Sequence, residues 1–169
     1  MDLLDRMQEQ WQKQSPSMPT DDMALVGRLL IVSHYMNDAM EKTLAPYDIK
    51  LPSYGVLAAL LRAGEPHALT PNELLEQTLI TSGAMTNRIN KLEKKKLVTR
   101  IPSKKDKRSF QVALTPQGKA ISEKVVSDVN ANYQALTQRF GDKDKAYLNT
   151  LLRRYLEDIE ADIKPINNN

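Results

Sequence analysis

The sequence predicts a mainly α-helical chain with one small two-stranded β ribbon, on the strength of three observations. Apolar residues return at three- and four-residue spacing through most of the chain. A hydroxyl residue followed by proline, the device that opens a helix, occurs at Thr70-Pro71 and again at Thr115-Pro116. Between them, β-branched and aromatic residues flank a polar loop in the pattern of a hairpin.

Residues 1–14 form a short amphipathic helix, with Leu3, Leu4, Met7 and Trp11 at helical spacing, and Ser15-Pro16-Ser17-Met18-Pro19-Thr20 breaks it. From Asp21 or Asp22, a plausible N-cap, Leu25, Leu29, Val32, Met36, Met40 and Leu44 trace one long helix that Pro46 stops. Leu51-Pro52-Ser53 opens the next, whose dense Val56, Leu57, Leu60 and Leu61 mark it as central, and Gly64 and Pro66 end it. Thr70-Pro71-Asn72-Glu73 is a capping box, so a short helix reaches about Gln77. Thr81 or Ser82 then caps a helix running to about Lys96.

Residues 97–101 and 110–114 read as strands about the polar loop 103–109. Thr115-Pro116-Gln117-Gly118 starts a long helix to about residue 139, with Ile121, Val125, Val129, Tyr133 and Leu136 on one face. Asp142 or Asp144 starts the last, with Tyr147, Leu151, Leu152, Tyr155, Ile159 and Ile163, and Pro165 ends it before an Asn-rich tail. Two short helices joined by a tight turn and followed by a ribbon make a winged helix-turn-helix.

Charge is not spread evenly over these elements. Residues 86–108 hold ten Lys/Arg against two acids, a local +8 in a chain whose total is +3, so the rest sums to −5. Charge concentrated in this way suits a polyanion, because neutralising phosphates releases condensed counterions. The 169 residues, 41% hydrophobic and 27% charged, are enough for a core. No apolar run approaches the roughly 20 residues that span a bilayer, and the start of the chain lacks the order of a signal peptide. A cytoplasmic protein is expected. Cysteine is absent and the two histidines, His34 and His67, lie far apart. That excludes disulfides and thiolate chemistry and leaves no metal-ligand spacing, no nucleophile–base pair and no Gly-rich phosphate loop. Neither an enzyme nor a bound cofactor is expected.

In the helix from residue 82, Met85, Ile89 and Leu92 point inward at i, i+4, i+7, and the opposite face presents Ser82, Thr86, Asn87, Asn90, Lys91 and Lys94. Asparagine donates and accepts on one rigid amide, which suits adenine, and the Thr methyl suits thymine in a major groove. Lys91, Lys94 and Lys95 are placed to meet phosphate, which fixes register without reading sequence. In the loop between the strands, Arg108 stands two residues after Asp106 among Lys104, Lys105 and Lys107. An arginine at a hairpin tip can enter the narrow minor groove, with a carboxylate to steer its guanidinium.

These residues resemble a known family. Ser82-Gly83-Ala84-Met85-Thr86-Asn87-Arg88-Ile89, then Leu92-Glu93, Leu97-Val98, Asp106-Lys107-Arg108 and Leu114-Thr115-Pro116-Gln117-Gly118 are similar to the winged helix-turn-helix and D-x-R wing of MarR-type bacterial transcription regulators, a likeness covering about residues 22–160. The resemblance implies a homodimer on double-stranded DNA, with recognition helices in major grooves and wings in flanking minor grooves. It divides the chain into an extra N-terminal helix and linker (1–20), a helical dimerisation region (21–50 and 116–164), a DNA-binding domain (51–115) and a disordered tail (165–169). Two long apolar helices after residue 115 exceed what a small domain buries alone, which suits a dimer.

Family members commonly release DNA on binding small aromatic or phenolic anions. The extra helix with Trp11, together with Arg88, resembles the subgroup that answers to urate and related compounds, although where that subgroup has an acidic residue early in its second helix this chain has Gly55 after Tyr54. Trp11, His34, Tyr54 and Arg88 are the candidate ligand residues, His34 also reading as a core or interface residue. The function expected is a repressor on a pseudo-palindromic operator, released by such an anion. The alternative is an architectural, weakly specific DNA-binding protein without ligand. Replacing Arg108 with alanine should weaken operator binding by about 1–3 kcal/mol; an unchanged affinity at matched salt would remove the wing from the interface.

Overall fold

The computed structural model describes residues 1–78, 81–102 and 110–163. They form α1 (Leu3–Gln14), α2 (Asp21–Leu44), α3 (Leu51–Arg62), β1 (Ala68–Leu69), α4 (Pro71–Glu76), α5 (Ser82–Lys94), β2 (Val98–Pro102), β3 (Phe110–Leu114), α6 (Pro116–Thr137) and α7 (Asp142–Ile163). The chain folds as two compact units, Met1–Val129 and Asn130–Asn169.

In the first unit α1 lies along α2 of its own chain, running antiparallel to it. Asp2 caps α1 by accepting from the Leu4 and Asp5 amides at 2.8 and 3.0 Å, and Asp5 returns the bond to the Asp2 amide at 2.7 Å. Arg28 of α2 bonds both acids, and with the cap this holds the Asp2 carboxyl down to about 2. At the other end Gln8 donates to Thr20 and Asp21. Gly27 admits Leu4, since a Cβ there would stand 2.6 Å from Leu4 Cδ1.

The apolar stripe read along α2 divides in two. Met40 and Leu44 are buried, whereas Leu25, Leu29, Val32 and Met36 are exposed. Pro46 does not break the chain outright but opens a 3-10 turn, Ala45–Tyr47, beyond the helix end. Tyr47 of that turn donates to Asp128 of α6, whose carboxylate raises the Tyr47 pKa.

The core packs Val56, Leu57 and Leu60 of α3 against Met40, Leu44, Leu74, Met85, Ile89, Leu92, Val112, Val125 and Val129. The capping box of α4 is closed: Thr70 accepts from the Glu73 amide at 3.2 Å and Glu73 from the Thr70 amide at 2.6 Å. Strands β2 and β3 pair antiparallel, with Val98 opposite Leu114 and Pro102 opposite Phe110. The sheet has three strands where the sequence suggests two. Ala68 and Leu69 pair with Ala113 and Val112, in the order β1-β3-β2. Two residues between Pro66 and Pro71 are too few to show a strand period, and only the free edge of β3 makes them one. Pro102 sits on the edge strand β2, where a missing amide costs no ladder bond.

Helix α5 stops at Lys94, two residues short of the sequence expectation. Lys96 adopts a left-handed φ of 59°. Its amide bonds the Glu93 carbonyl at 2.9 Å while the Leu97 amide reaches back to Leu92 at 3.0 Å, and Leu92 and Leu97 are both buried. This is a Schellman stop, with a lysine where glycine is usual. Helix α6 likewise ends at Thr137, short of residue 139. In the second unit, α7 starts at Asp142 and leaves Tyr147, Leu152, Tyr155 and Leu156 exposed.

The entry to α6 is the tightest junction in the first unit. Thr115 accepts from the Gly118 amide at 2.9 Å and donates to the Lys96 carbonyl at 2.7 Å, while its own amide bonds the Leu97 carbonyl at 3.1 Å. A Cβ on Gly118 would fall 1.8 Å from that carbonyl oxygen. Because backbone and not a flexible side chain stands in the way, Gly118→Ala should destabilise the fold by about 2 kcal/mol or more, read from the urea midpoint; an unchanged midpoint would mean that α6 is free to shift.

Candidate nucleic-acid interface

Helix α5 is anchored by one face and open on the other. Met85, Ile89 and Leu92 are 1–2% exposed, whereas Ser82, Thr86, Asn87, Asn90, Lys91 and Lys94 are all exposed, as the spacing predicts. The sequence produces this division because apolar residues every three or four positions turn one stripe into the α3 side and leave polar ones outside.

Not every basic residue of the stretch faces outward unengaged. Lys95 donates to the carboxylate and the carbonyl of Asp48 in the turn after α2, and this bond holds the Asp48 carboxyl below the usual range. Lys95 thus braces the turn after α2, an engagement that the sequence did not indicate. Arg100 of β2 returns to α5, its Nη1 2.9 Å from Glu93 Oε2 and its Nη2 bonding Asn90 Oδ1 at 2.5 Å. Its guanidinium carbon stands 5.2 Å from the ring centre of Phe110 on β3. Sequence reading missed Arg100 and Phe110 as parts of the site, since a link across ten residues and two elements has no periodic signature. The wing candidates Lys104, Lys105, Asp106, Lys107 and Arg108 lie outside the described residues.

The four candidate ligand residues do not share one cavity. Arg88 is half-buried, as its place beside the inner stripe suggests, and its Nε is enclosed with no hydrogen-bond partner. It borders a cavity of about 230 Å³ with Ser53, Lys50 and Lys91. Tyr54, half-buried, borders a different one of about 460 Å³ beside Gly55 and Thr78. His34 lines a third, of about 520 Å³, between α1 and α2 with Leu4 and Tyr35. It is exposed there, 3.7 Å from Asp38, and not a core histidine, because its stretch of α2 is uncovered by its own chain. Trp11 is 38% exposed on α1. Among the described residues no group of His, Asp and Glu could hold a metal ion, and no helix is long and apolar enough to cross a membrane.

A family model described as the MarR family matches residues 47–109, from the turn after α2 to the residue before β3. The multiple antibiotic resistance protein MarR of Salmonella typhimurium is 32% identical over 133 residues, covering 78% of this chain and 90% of that protein. The chain belongs to the MarR family. Its similarity to the HTH-type transcriptional regulator PecS of Dickeya dadantii is 29% over 146 residues, 86% of this chain and 88% of that one. A crystal structure of a Cys-to-Ser mutant of Escherichia coli MarR complexed with operator DNA superposes with a TM-score of 0.71 at 30% identity, covering 83% of this chain and 99% of that one. This MarR-family protein is therefore a DNA-binding transcriptional regulator and not an enzyme. Nothing in these likenesses singles out the urate-responsive subgroup.

The two lysines at the end of α5 should separate cleanly. Lys94→Ala should weaken binding to every DNA sequence alike and lower the salt slope by about 1, whereas Lys95→Ala, already paired to Asp48, should leave that slope unchanged. Equal effects on the slope in a salt titration would contradict the brace.

Proposed function

We propose that this protein is a homodimeric, cytoplasmic repressor that occupies a pseudo-palindromic operator and is released by a small aromatic or phenolic anion. The observation that carries the reading is α5, whose inner stripe is locked in the core while Ser82, Thr86, Asn87, Asn90, Lys91 and Lys94 stand exposed on the other side. In this reading those side chains enter a major groove, and Lys104, Lys105, Asp106, Lys107 and Arg108 serve the wing. Two-fold symmetry would set half-sites one helical turn apart, about 34–36 Å.

Dimerisation is supported by apolar side chains that a lone chain leaves in water: Leu25, Leu29 and Leu30 on α2, and Leu152, Tyr155 and Leu156 on α7. The anion is supported by Arg88, whose Nε is enclosed without a partner and which borders a cavity lined also by Lys50, Lys91, Lys95 and Asp48, the last already paired to Lys95. A buried guanidinium nitrogen without an acceptor is costly, and a carboxylate or phenolate supplies one. For release, the anion must prefer a dimer whose reading helices are differently spaced, since equal affinity for both states shifts nothing.

The test combines sedimentation equilibrium with fluorescence anisotropy on the DNA upstream of the protein's own gene and on scrambled DNA, with salicylate, urate and related acids added. Expected are twice the chain mass, a preference of about a thousandfold or more for the specific site, and relief by one acid that Arg88→Ala blunts. A monomer would overturn the dimer, equal affinity for both DNAs the sequence-specific reading, and binding undisturbed by every acid the anion.

A further inference from the structure

By residue type, Asn90 offers an adenine both a donor and an acceptor. The structure removes that freedom. Asn90 lies on the outer face of α5, and Arg100 Nη2 bonds its Oδ1 at 2.5 Å. A guanidinium has five donors and no acceptor, so the amide atom that faces it is the oxygen whichever way the side chain is drawn. Arg100 takes one lone pair of Oδ1 and turns that oxygen toward β2, so the end of the amide left to lead toward a base is its NH₂.

The guanidinium itself is held from three directions. Nη1 stands 2.9 Å from Glu93 Oε2, one helical turn from Asn90 on the same face. Phe110, opposite Pro102 across the β2–β3 ladder, has Cζ of the guanidinium over its ring, 5.2 Å from the centroid. A planar fork bonded to a carboxylate and an amide and standing over a ring keeps one orientation, which a lysine's point charge would not. Because Glu93 already balances its charge, Arg100 is poorly suited to hold a phosphate.

We propose that Arg100 is a specificity-determining positioning residue: it fixes the Asn90 amide so that Asn90 meets DNA as a donor only. The base edge that suits a donor pair is one of acceptors, guanine with N7 and O6, while adenine's N6 amino group is left facing a group with no acceptor turned to it. Recognition at that position is therefore set from the sheet and not by α5 alone. The proposal rests on the reading that α5 enters the major groove, and it adds which base one of its residues selects.

The experiment selects binding sites from randomised duplex DNA with the full-length protein, then measures affinity for all four bases at each half-site position at one salt concentration. Wild type, Asn90→Ala, Arg100→Met and Arg100→Lys are compared, with thermal unfolding to confirm that each is folded. Expected is one position at which wild type prefers guanine to adenine by about tenfold and at which Asn90→Ala abolishes the preference. Both Arg100 variants should let adenine gain at that position alone, with affinity for scrambled DNA preserved.

Should Arg100→Met weaken all sequences equally and lower the salt slope, Arg100 is a phosphate contact and the proposal fails. It fails equally if the Asn90-dependent position prefers adenine in wild type, if Asn90→Ala changes no position, or if Arg100→Lys keeps the wild-type preference. Selection of no sequence at all by wild type would instead overturn the sequence-specific reading beneath it, a result distinct from the other four.

Discussion

The face that α5 presents to a nucleic acid depends on three side chains that no nucleic acid would touch. Met85, Ile89 and Leu92 are buried against α3 and the sheet, and each contributes about 1.5–3 kcal/mol by leaving water. Their spacing fixes the rotation of α5 about its own axis as well as its attachment. A helix rotated by one residue would turn Thr86 and Asn90 toward the core, where an unpaired amide or hydroxyl costs as much as the burial gained. The orientation of the exposed face is thus a consequence of the hidden one.

A second constraint keeps the sheet in register with that helix. The chain leaves α5 through Lys96 in a left-handed conformation, and the next carbonyl, that of Leu97, accepts from Thr115 and lies against Gly118. One peptide group therefore joins the end of α5, the exit from β3 and the start of α6. Because β2 begins immediately after it, Arg100 arrives beside Asn90 and Glu93 with little freedom, which is why a strand residue can organise a helix face. Of the basic stretch that dominates the charge pattern, Lys95 and Arg100 are spent on internal contacts, so net charge overstates what is left for phosphate.

Helix α2 and the second unit stand apart from this economy. Their large apolar residues are mostly exposed, and such surface on a solitary chain favours association. The addition of α1 does not relieve it, because only Leu4 of that helix is buried. Instead α1 is pinned by polar contacts, Asp2 and Asp5 on Arg28 and Gln8 on the start of α2, so its apolar residues Leu3, Met7 and Trp11 remain exposed beside those of α2.

The sequence by itself determined the helices, the capping box of α4 and the division of α5 into an inner and an outer face, because these depend on residues three or four apart and on local hydrogen bonds; the Asp21 or Asp22 cap read for α2 instead falls inside that helix, whose N-cap is Thr20 without a side-chain bond. The capping box at Thr70, the start of α6 at Pro116 and the buried stripe of α5 were legible for that reason. Only the tertiary structure decided what long-range geometry controls: the third strand at Ala68, the pairing of Lys95 with Asp48, and the exposure of His34 on an uncovered stretch of α2. Arg100 is the clearest case. Its charge was counted from sequence, but its work was invisible there, because ten residues and a change from helix to strand separate it from the asparagine it holds. A periodic pattern reports which face of an element is apolar; it carries no information on which charged side chain will find a partner across a turn.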